Sequence, residues 1–258
     1  MKYEFTVAAM FKNEQHALAE WIEHYLYHGA QHIFLIDDDS NDNSVEIIQK
    51  YIRENDGMIT LFHANKWPMY LGRQADIYNH FILPLINEKI TKWMLICDLD
   101  EFMWSPLHVD LKEILKMCSN LSQIQVNHTF FGSSGHISQP SSIVKYFTFR
   151  EKEPSILLKY FLNSDYNFSS LNVHHATYVN DDDSISTFIK LDNGNEYFVL
   201  NHYKIQSLDF WKDVKCTRGD SDNYLIRNVK DFFDSDKNEI GDLGLWEQNK
   251  HMPFYKNL

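Results

Sequence analysis

Three carboxylates crowd into four residues at Asp98-Leu99-Asp100-Glu101, directly after the apolar run WMLIC at 93–97. The run reads as a strand buried on both faces. The carboxylates therefore stand at its C-terminal end, the edge where open α/β sheets bind ligands. In an extended chain Asp98 and Asp100 face the same way while Leu99 turns into the core. Two such carboxylates repel each other unless a cation lies between them. A hard divalent ion, Mn2+ or Mg2+, accepts carboxylate oxygens and leaves positions free for phosphate oxygens. A bare D-x-D is otherwise a solvated acidic loop; the apolar lead-in and the surrounding pattern favour the metal.

The elements that must position this motif follow in order. A first strand over 5–10 runs into Lys12-Asn13-Glu14, and a helix through Leu18, Trp21, Ile22, Tyr25 and Leu26 stops at Gly29. A second strand, 32–36, opens into Asp37-Asp38-Asp39-Ser40-Asn41-Asp42, with Ser40 or Asp42 as cap of a helix over 45–52. A third strand spans 58–62. A helix over 72–86, headed by Arg73 and Gln74, leads to the strand that ends at Asp98. Strands alternating with helices predict a parallel sheet covered on both faces.

Beyond residue 105 the pattern changes. A helix over 111–117 precedes strand-like segments at 123–131, 144–150, 156–161, 173–178 and 197–203, then a helix over 207–215. The expected fold is α/β: a Rossmann-like mixed sheet flanked by helices, its N-terminal half parallel and its C-terminal extension antiparallel. No linker divides the chain. A single domain is expected, with a nucleotide-binding half over 1–105, an acceptor half over 106–220 and a polar tail over 221–258.

Composition narrows the function. The 258 residues are 44% hydrophobic and 15% aromatic, enough for a sizeable core. A net charge of −12 excludes a general nucleic-acid binder, which needs basic stripes. Cys97, Cys118 and Cys216 lack metal-site spacing and cannot all pair, as in a reducing compartment. With no signal peptide or long apolar run, a soluble, cytoplasmic protein is expected. Peripheral membrane contact stays open, and the sequence sets no oligomeric state.

The chemistry open to these groups is as follows. Asp98 and Asp100 hold the metal, which neutralises a departing diphosphate. Asp37 or Asp38 accepts the imide N–H of a base, or both belong to a capping cluster. Lys12, Asn13 and Glu14 at the first strand end, and Arg73 and Gln74 at a helix head, are nucleotide contacts or plain helix starts. Gly132-Ser133-Ser134-Gly135 offers amides and hydroxyls to a sugar, or is a plain Gly/Ser turn. Lys215 and Arg218 cover the diphosphate, or are loose surface bases. Trp67, Tyr70 and Trp104 stack on an acceptor or fill the core. Glu101 is the nearest candidate base for an acceptor hydroxyl, or it caps the helix behind the motif. His202 ends an apolar strand and precedes the segment carrying Lys215, a placement that suits a third metal ligand, with His174 and His175 as rivals, or a histidine that caps the strand against the helix.

Together these residues resemble glycosyltransferase family 92 and its family 2 relatives. The likeness rests on Lys12-Asn13-Glu14 with Glu20-Trp21 and Gly29, on Ile36 to Asp42, and on Asp98-Leu99-Asp100-Glu101-Phe102. It continues through Phe131 to His136, Arg150, His202-Tyr203, Ser207, Phe210, Lys215, Arg218 and Gly219. It covers roughly Val7 to Gly219. The resemblance implies a GT-A fold, a nucleoside-diphosphate-sugar donor (UDP-linked first), a divalent cation, a glycan or other hydroxyl acceptor, hexosyl transfer with inversion, and His202 at the family's H-Y position. The membrane anchor, stem and paired cysteines of animal members have no counterpart. Two other readings compete: a nucleotide-sugar pyrophosphorylase, which would want a Gly-rich basic loop where Lys12-Asn13-Glu14 stands, and a non-catalytic carbohydrate-binding scaffold, against which the intact Asp98/Asp100 pair argues.

Overall fold

The computed structural model describes every residue except 56, 66, 180–184, 187–193, 220 and 222–224. The first half alternates strand and helix: β1 (Tyr3–Phe11), α1 (Leu18–Tyr27), β2 (His32–Asp37), α2 (Ser44–Glu54), β3 (Ile59–His63), α3 (Arg73–Phe81), α4 (Leu83–Asn87) and β4 (Thr91–Ile96). Then come β5 (Glu101–Trp104), α5 (Leu111–Met117), β6 (Gln123–Phe130), α6 (Ile143–Tyr146), β7 (Phe149–Arg150), β8 (Leu158–Asn163), β9 (Asn167–Leu171), β10 (Ala176–Val179) and β11 (Ile185–Ser186). The chain continues with α7 (Gly194–Tyr197), β12 (Val199–His202), α8 (Leu208–Phe210), a π-helical turn (Trp211–Lys215), α9 (Val229–Ser235), β13 (Ile240–Gly241), α10 (Gly244–Asn249) and a 3₁₀ turn (Pro253–Asn257).

The main sheet runs β3-β2-β1-β4-β8-β6-β12-β5. β3, β2, β1 and β4 are mutually parallel. β8 is antiparallel to both β4 and β6, β12 is parallel to β6, and β5 is antiparallel to β12. The sheet is therefore mixed, as expected, although β6 and β12 form a parallel pair within the extension. These directions place the C-terminal ends of β1, β2, β4, β6 and β12 at one edge, together with the N-terminal ends of β8 and β5. Strand ends from both halves of the chain meet there.

The continuous apolar runs have a simple cause. Phe5, Val7, Ala9, Leu35, Trp93 and Leu95 join the core beneath α1 and α2. Their neighbours Ala8, Met10, Ile36, Met94 and Ile96 join a second core on the opposite face with Ile77 and Tyr78 of α3. A sheet covered on both sides needs apolar residues at every position, not at alternate ones.

Several expectations need correction. The helix expected over 72–86 divides at Ile82, which ends α3 and precedes α4 with Pro84 in its first turn; proline cannot donate the backbone bond that continuity requires. The strand expected over 144–150 begins instead as α6, capped by Ser142. Asn43 stands at the N-cap position of α2 without a side-chain cap bond; of the two expected caps, Asp42 supplies the bond, its Oδ1 accepting the Ser44 N–H at 2.9 Å, whereas Ser40 Oγ accepts the Asn13 N–H at 3.0 Å instead. The tail over 221–258 is, in its described part, built into the fold: β13 pairs with β7, and Leu245, Met252 and Tyr255 enter the main core. Tyr255 Oη donates to Glu20 Oε1 at 2.7 Å, and Asn249 bonds both His28 and His24. α1 does stop at Gly29, whose φ of 94° lies in the left-handed region.

Candidate functional site

The D-x-D segment turns at once. Glu101 N–H donates to Asp98 O at 3.1 Å, Asp98 N–H donates to Glu101 Oε2 at 2.7 Å, and Glu101 already begins β5. Trp21 on α1 clamps the turn, its indole N–H shared between Asp98 O at 2.9 Å and Glu101 O at 3.0 Å. Asp98 and Asp100 are held on a rigid corner between two strands rather than on a free loop.

Charged partners arrive from the neighbouring strand ends. Lys159, second residue of β8, is 1% exposed and places Nζ 2.8 Å from Asp98 Oδ2 and 3.5 Å from Glu101 Oε2. His202, last residue of β12, lies opposite Glu101 in the β12–β5 register. Its Nε2 is 3.4 Å from Asp100 Oδ1, and its Nδ1 is 3.5 Å from Glu101 Oε1. Lys215, at the end of the π-helical turn, reaches Asp100 Oδ2 at 3.4 Å. His128 of β6 stands 3.2 Å from Glu101 Oε1 through Nε2 and 3.1 Å from His202 Nδ1 through its own Nδ1. Gln74 Nε2 approaches Asp98 Oδ1 at 3.5 Å.

The electrostatics follow from burial and these neighbours. Glu101 is 0% exposed, and its carboxyl is pushed up to about 7 by burial, with Lys159 opposing and the Asp98 charge adding. Burial would also raise Asp100, but His202 and Lys215 outweigh it and hold that carboxyl well below the usual range. The Lys159 ammonium, disfavoured by burial, is held well above its ordinary value by Asp98 and Glu101. Burial keeps His128 neutral.

The donor set fits a cation. One ligand atom from each of Asp98, Asp100 and Glu101 lies within 4.8 Å of the others, and so does one from each of Glu101, His128 and His202. Glu101 Oε1 and His128 Nε2 are buried without a hydrogen-bond partner. Mixed carboxylate and imidazole donors suit manganese.

The residues expected to contact a nucleotide have partners of their own. Asp38, at the end of β2, is buried and forms a two-point ion pair with Arg73 at the head of α3, one contact measuring 3.0 Å. Asp37 Oδ1 accepts the Ser40 N–H at 3.0 Å, and Oδ2 faces His63 at 3.3 Å. Asn13 Oδ1 accepts the Asn41 N–H at 2.8 Å. Glu14 Oε1 accepts from Arg218 at 2.6 Å, so Arg218 is tied to the β1–α1 loop, with half-buried Lys12 on the same loop.

Other expected residues lie elsewhere. The amides and hydroxyls of Gly132-Ser133-Ser134-Gly135 are used within the fold. Ser133 N and Oγ donate to Asp236 at 2.6 and 2.7 Å, Ser134 N donates to Asn238, and Ser134 Oγ accepts from Thr148 and Phe149. A Cβ at Gly132 would collide with that same Asp236–Asn238 segment. This turn anchors the C-terminal region instead of offering groups to a sugar. Trp104 is buried in β5 and donates to Asn201 at 3.2 Å, so it is core. Tyr70 and Trp67 remain accessible, Tyr70 donating to Asp76 at 2.7 Å. Glu101 faces inward and caps no helix: it starts β5 and its Oε2 accepts the Asp98 N–H at 2.7 Å, while Asp110 caps the next helix. Sequence reasoning missed Lys159 and His128. The only trace of Lys159 is one cation inside the otherwise apolar stretch LLKYFL.

The profile of glycosyltransferase family 92 matches residues 2–215. A family 92 glycosyltransferase of Ricinus communis is 26% identical over 220 residues, covering 82% of this chain and 37% of its own. One of Arabidopsis thaliana is 27% identical over 228 residues, with the same coverage of 82% and 37%. The chain thus spans little more than a third of the length of the curated relatives it matches. Among solved structures, TarS 1–349 of S. aureus in complex with UDP-GlcNAc aligns with a TM-score of 0.44 and 13% identity, over 90% of this chain and 64% of that chain.

Proposed function

The chain belongs to glycosyltransferase family 92, and from that premise we propose that it transfers a hexosyl unit from a nucleoside-diphosphate sugar, UDP-linked first, to a hydroxyl of a glycan, with inversion and with a divalent cation. The observation that carries this reading is the meeting of Asp98, Asp100, His202 and Lys215 at one sheet edge, with Lys159 beneath them.

Asp98, Asp100 and His202 would hold Mn2+ or Mg2+, which when bound neutralises charge on the departing diphosphate. Lys215 adds a mobile cation at the same place, reaching over Asp100 from the π-helical turn. Lys159 lies deeper and acts on the carboxylates: by pairing with Asp98 and Glu101 it fixes the corner and limits their repulsion. Trp21 holds the same corner from behind. Asp37 and the Asp38–Arg73 pair, at the ends of β2 and α3, are assigned to the nucleoside. Asp38 binds a base only if Arg73 shares or releases it, so Asp37 is the freer of the two.

Calorimetric titration of UDP with and without Mn2+ tests this reading, with GDP as the control. Heat of UDP binding that requires the cation is the expected result. Absence of any cation-dependent nucleotide binding would refute it.

A further inference from the structure

Three side chains form a row behind Asp100. Glu101 on β5 and His202 on β12 are opposed in register, and His128 lies on β6, the strand on the other side of β12. Glu101 Oε1 stands 3.2 Å from His128 Nε2, His128 Nδ1 stands 3.1 Å from His202 Nδ1, and His202 Nε2 stands 3.4 Å from Asp100 Oδ1. Glu101 is 0% and His128 2% exposed, so bulk water does not compete for their polar atoms. The other oxygen of Glu101 is committed to the corner: Oε2 accepts the Asp98 N–H at 2.7 Å and faces Lys159 Nζ at 3.5 Å. Oε1 and His128 Nε2 make no hydrogen bond of good geometry with any group. Buried polar atoms are nearly always satisfied, and here each has the other within reach. The plane of the His202 imidazole is held by rings on β6: Phe130 packs on it with centroids 5.0 Å apart, and His128 meets it edge-on at 4.6 Å.

Donor and acceptor roles along this row are not independent. A neutral imidazole has one N–H and one bare nitrogen. A cation on Asp98 and Asp100 keeps Glu101 in its charged form, and a carboxylate only accepts. His128 Nε2 then carries the proton, which leaves His128 Nδ1 bare. A bare Nδ1 accepts, so His202 carries its own proton on Nδ1 and turns a bare Nε2 toward Asp100, the side where a cation needs a ligand. The contact of His202 Nδ1 with His128 is also shorter than its contact with Glu101 Oε1, 3.1 Å against 3.5 Å. We propose that His128 is a positioning residue: backed by Glu101, it sets the tautomer and orientation of His202 and so makes Nε2 a metal ligand. His128 is not a ligand itself, since Nδ1 is turned to His202 and Nε2 to Glu101. The second nitrogen of a histidine ligand commonly meets a carboxylate directly; in this chain a second histidine relays it. The proposal rests on the cation of the transferase reading and not on transfer itself.

Mn2+ affinity, read from the EPR signal of the free ion with the whole chain alone and again with UDP, tests this without turnover. His128→Leu removes the acceptor and should weaken Mn2+ binding about tenfold or more. His128→Asn keeps an acceptor oxygen near the place of Nδ1 and should restore most of that loss. In a His202→Ala background His128→Leu should change nothing further, because His128 acts through His202 alone. Nitrogen NMR of the histidine-labelled chain, loaded with cadmium, should find the His202 proton on Nδ1 and the coupling to the metal on Nε2. That spectrum needs no variant, so it decides the matter even if His128→Leu fails to fold. Parent affinity in His128→Leu would overturn the proposal. An equal loss in the His202→Ala background would overturn it too, making His128 a ligand or a support of the fold, and so would cadmium coupled to Nδ1. A parent that binds no Mn2+ in either condition would refute the cation and this proposal together. Mn2+ binding governed by His128 in a chain without nucleotide affinity would uphold the proposal and refute the transferase reading instead.

Discussion

Replacing Glu101 with glutamine should make the protein less sensitive to pH and, in alkaline buffer, more stable. Glu101 is wholly buried, and burial raises its carboxyl from the ordinary 4.5 to about 7 against the pull of Lys159. Between those values the folded chain binds a proton that the unfolded chain releases. Stability from this group is therefore complete below the unfolded value and is lost as pH rises through 7. At about 1.4 kcal/mol for each pH unit of separation, the loss amounts to about 3 kcal/mol. Glutamine cannot titrate. Its carbonyl can accept the Asp98 N–H, and its amide can face the neutral His128 Nε2, 3.2 Å from Glu101 Oε1. Urea unfolding of parent and variant, with chelator present, should give a difference that shifts in favour of the variant by about 3 kcal/mol between about pH 4.5 and about pH 8. Taking the difference cancels every other titrating group the two proteins share. A difference that stays constant with pH, or one that moves toward the parent in alkali, would mean that Lys159 keeps Glu101 ionised throughout, and the reasoning would fail.

Other perturbations separate the roles at the same edge. Asp98→Asn and Asp100→Asn should each abolish transfer while the fold persists by circular dichroism. Asp98→Asn should also cost about 1–3 kcal/mol in urea unfolding, because buried Lys159 loses its nearest carboxylate, a loss softened by the one-third exposure of Asp98. His202→Ala should raise the manganese concentration needed for half-maximal activity, and His175→Ala should leave it almost unchanged; the opposite order would remove His202 from the metal. Tyr255→Phe should destabilise by about 1–3 kcal/mol, since it deprives buried Glu20 of a partner at 2.7 Å; an unchanged urea midpoint would show that the contact contributes nothing.

The parallel half was legible because its physics is local. Apolar runs bounded by Gly, Asp and Asn gave β1 to β4, and the carboxylates at their ends were readable as an edge. What escaped needed long-range partners. β5 was hidden because EFMW follows the acidic turn without a break, and it becomes a strand only by pairing with β12 nearly a hundred residues later. Nothing local marks Lys159: only the placement of β8 beside β4 brings its ammonium to Asp98. The Gly-Ser-Ser-Gly turn had the composition of a ligand loop, yet its groups bind Asp236 and Asn238, a choice no local pattern encodes. Asp38, a base acceptor or a capping carboxylate on local grounds, turns out to pair with Arg73 for the same reason: a partner thirty-five positions on is invisible to local reading.

The inner face of α1 has a consequence for how the chain is made. Glu20, His24 and His28 all point into the protein, and their hydrogen bonds come from far downstream: Ser142 and the amides of Ile143 and Val144, the carbonyls of Met103 and Val109, and finally Asn249 and Tyr255. The ribosome delivers β1 to β4 first, and domains tend to fold as they emerge. Here the first helix can dock early only with three polar groups lacking partners inside an apolar layer. The nascent half is thus held in a loose, exchangeable state, and it locks when residues 249–255 arrive to close contacts across more than two hundred positions. Such distant closure slows folding, and it ties quality control of the N-terminal half to completion of the segment that packs behind it. A chain interrupted before Asn249 would carry every carboxylate of the acidic corner and still leave the helix that clamps it unsettled.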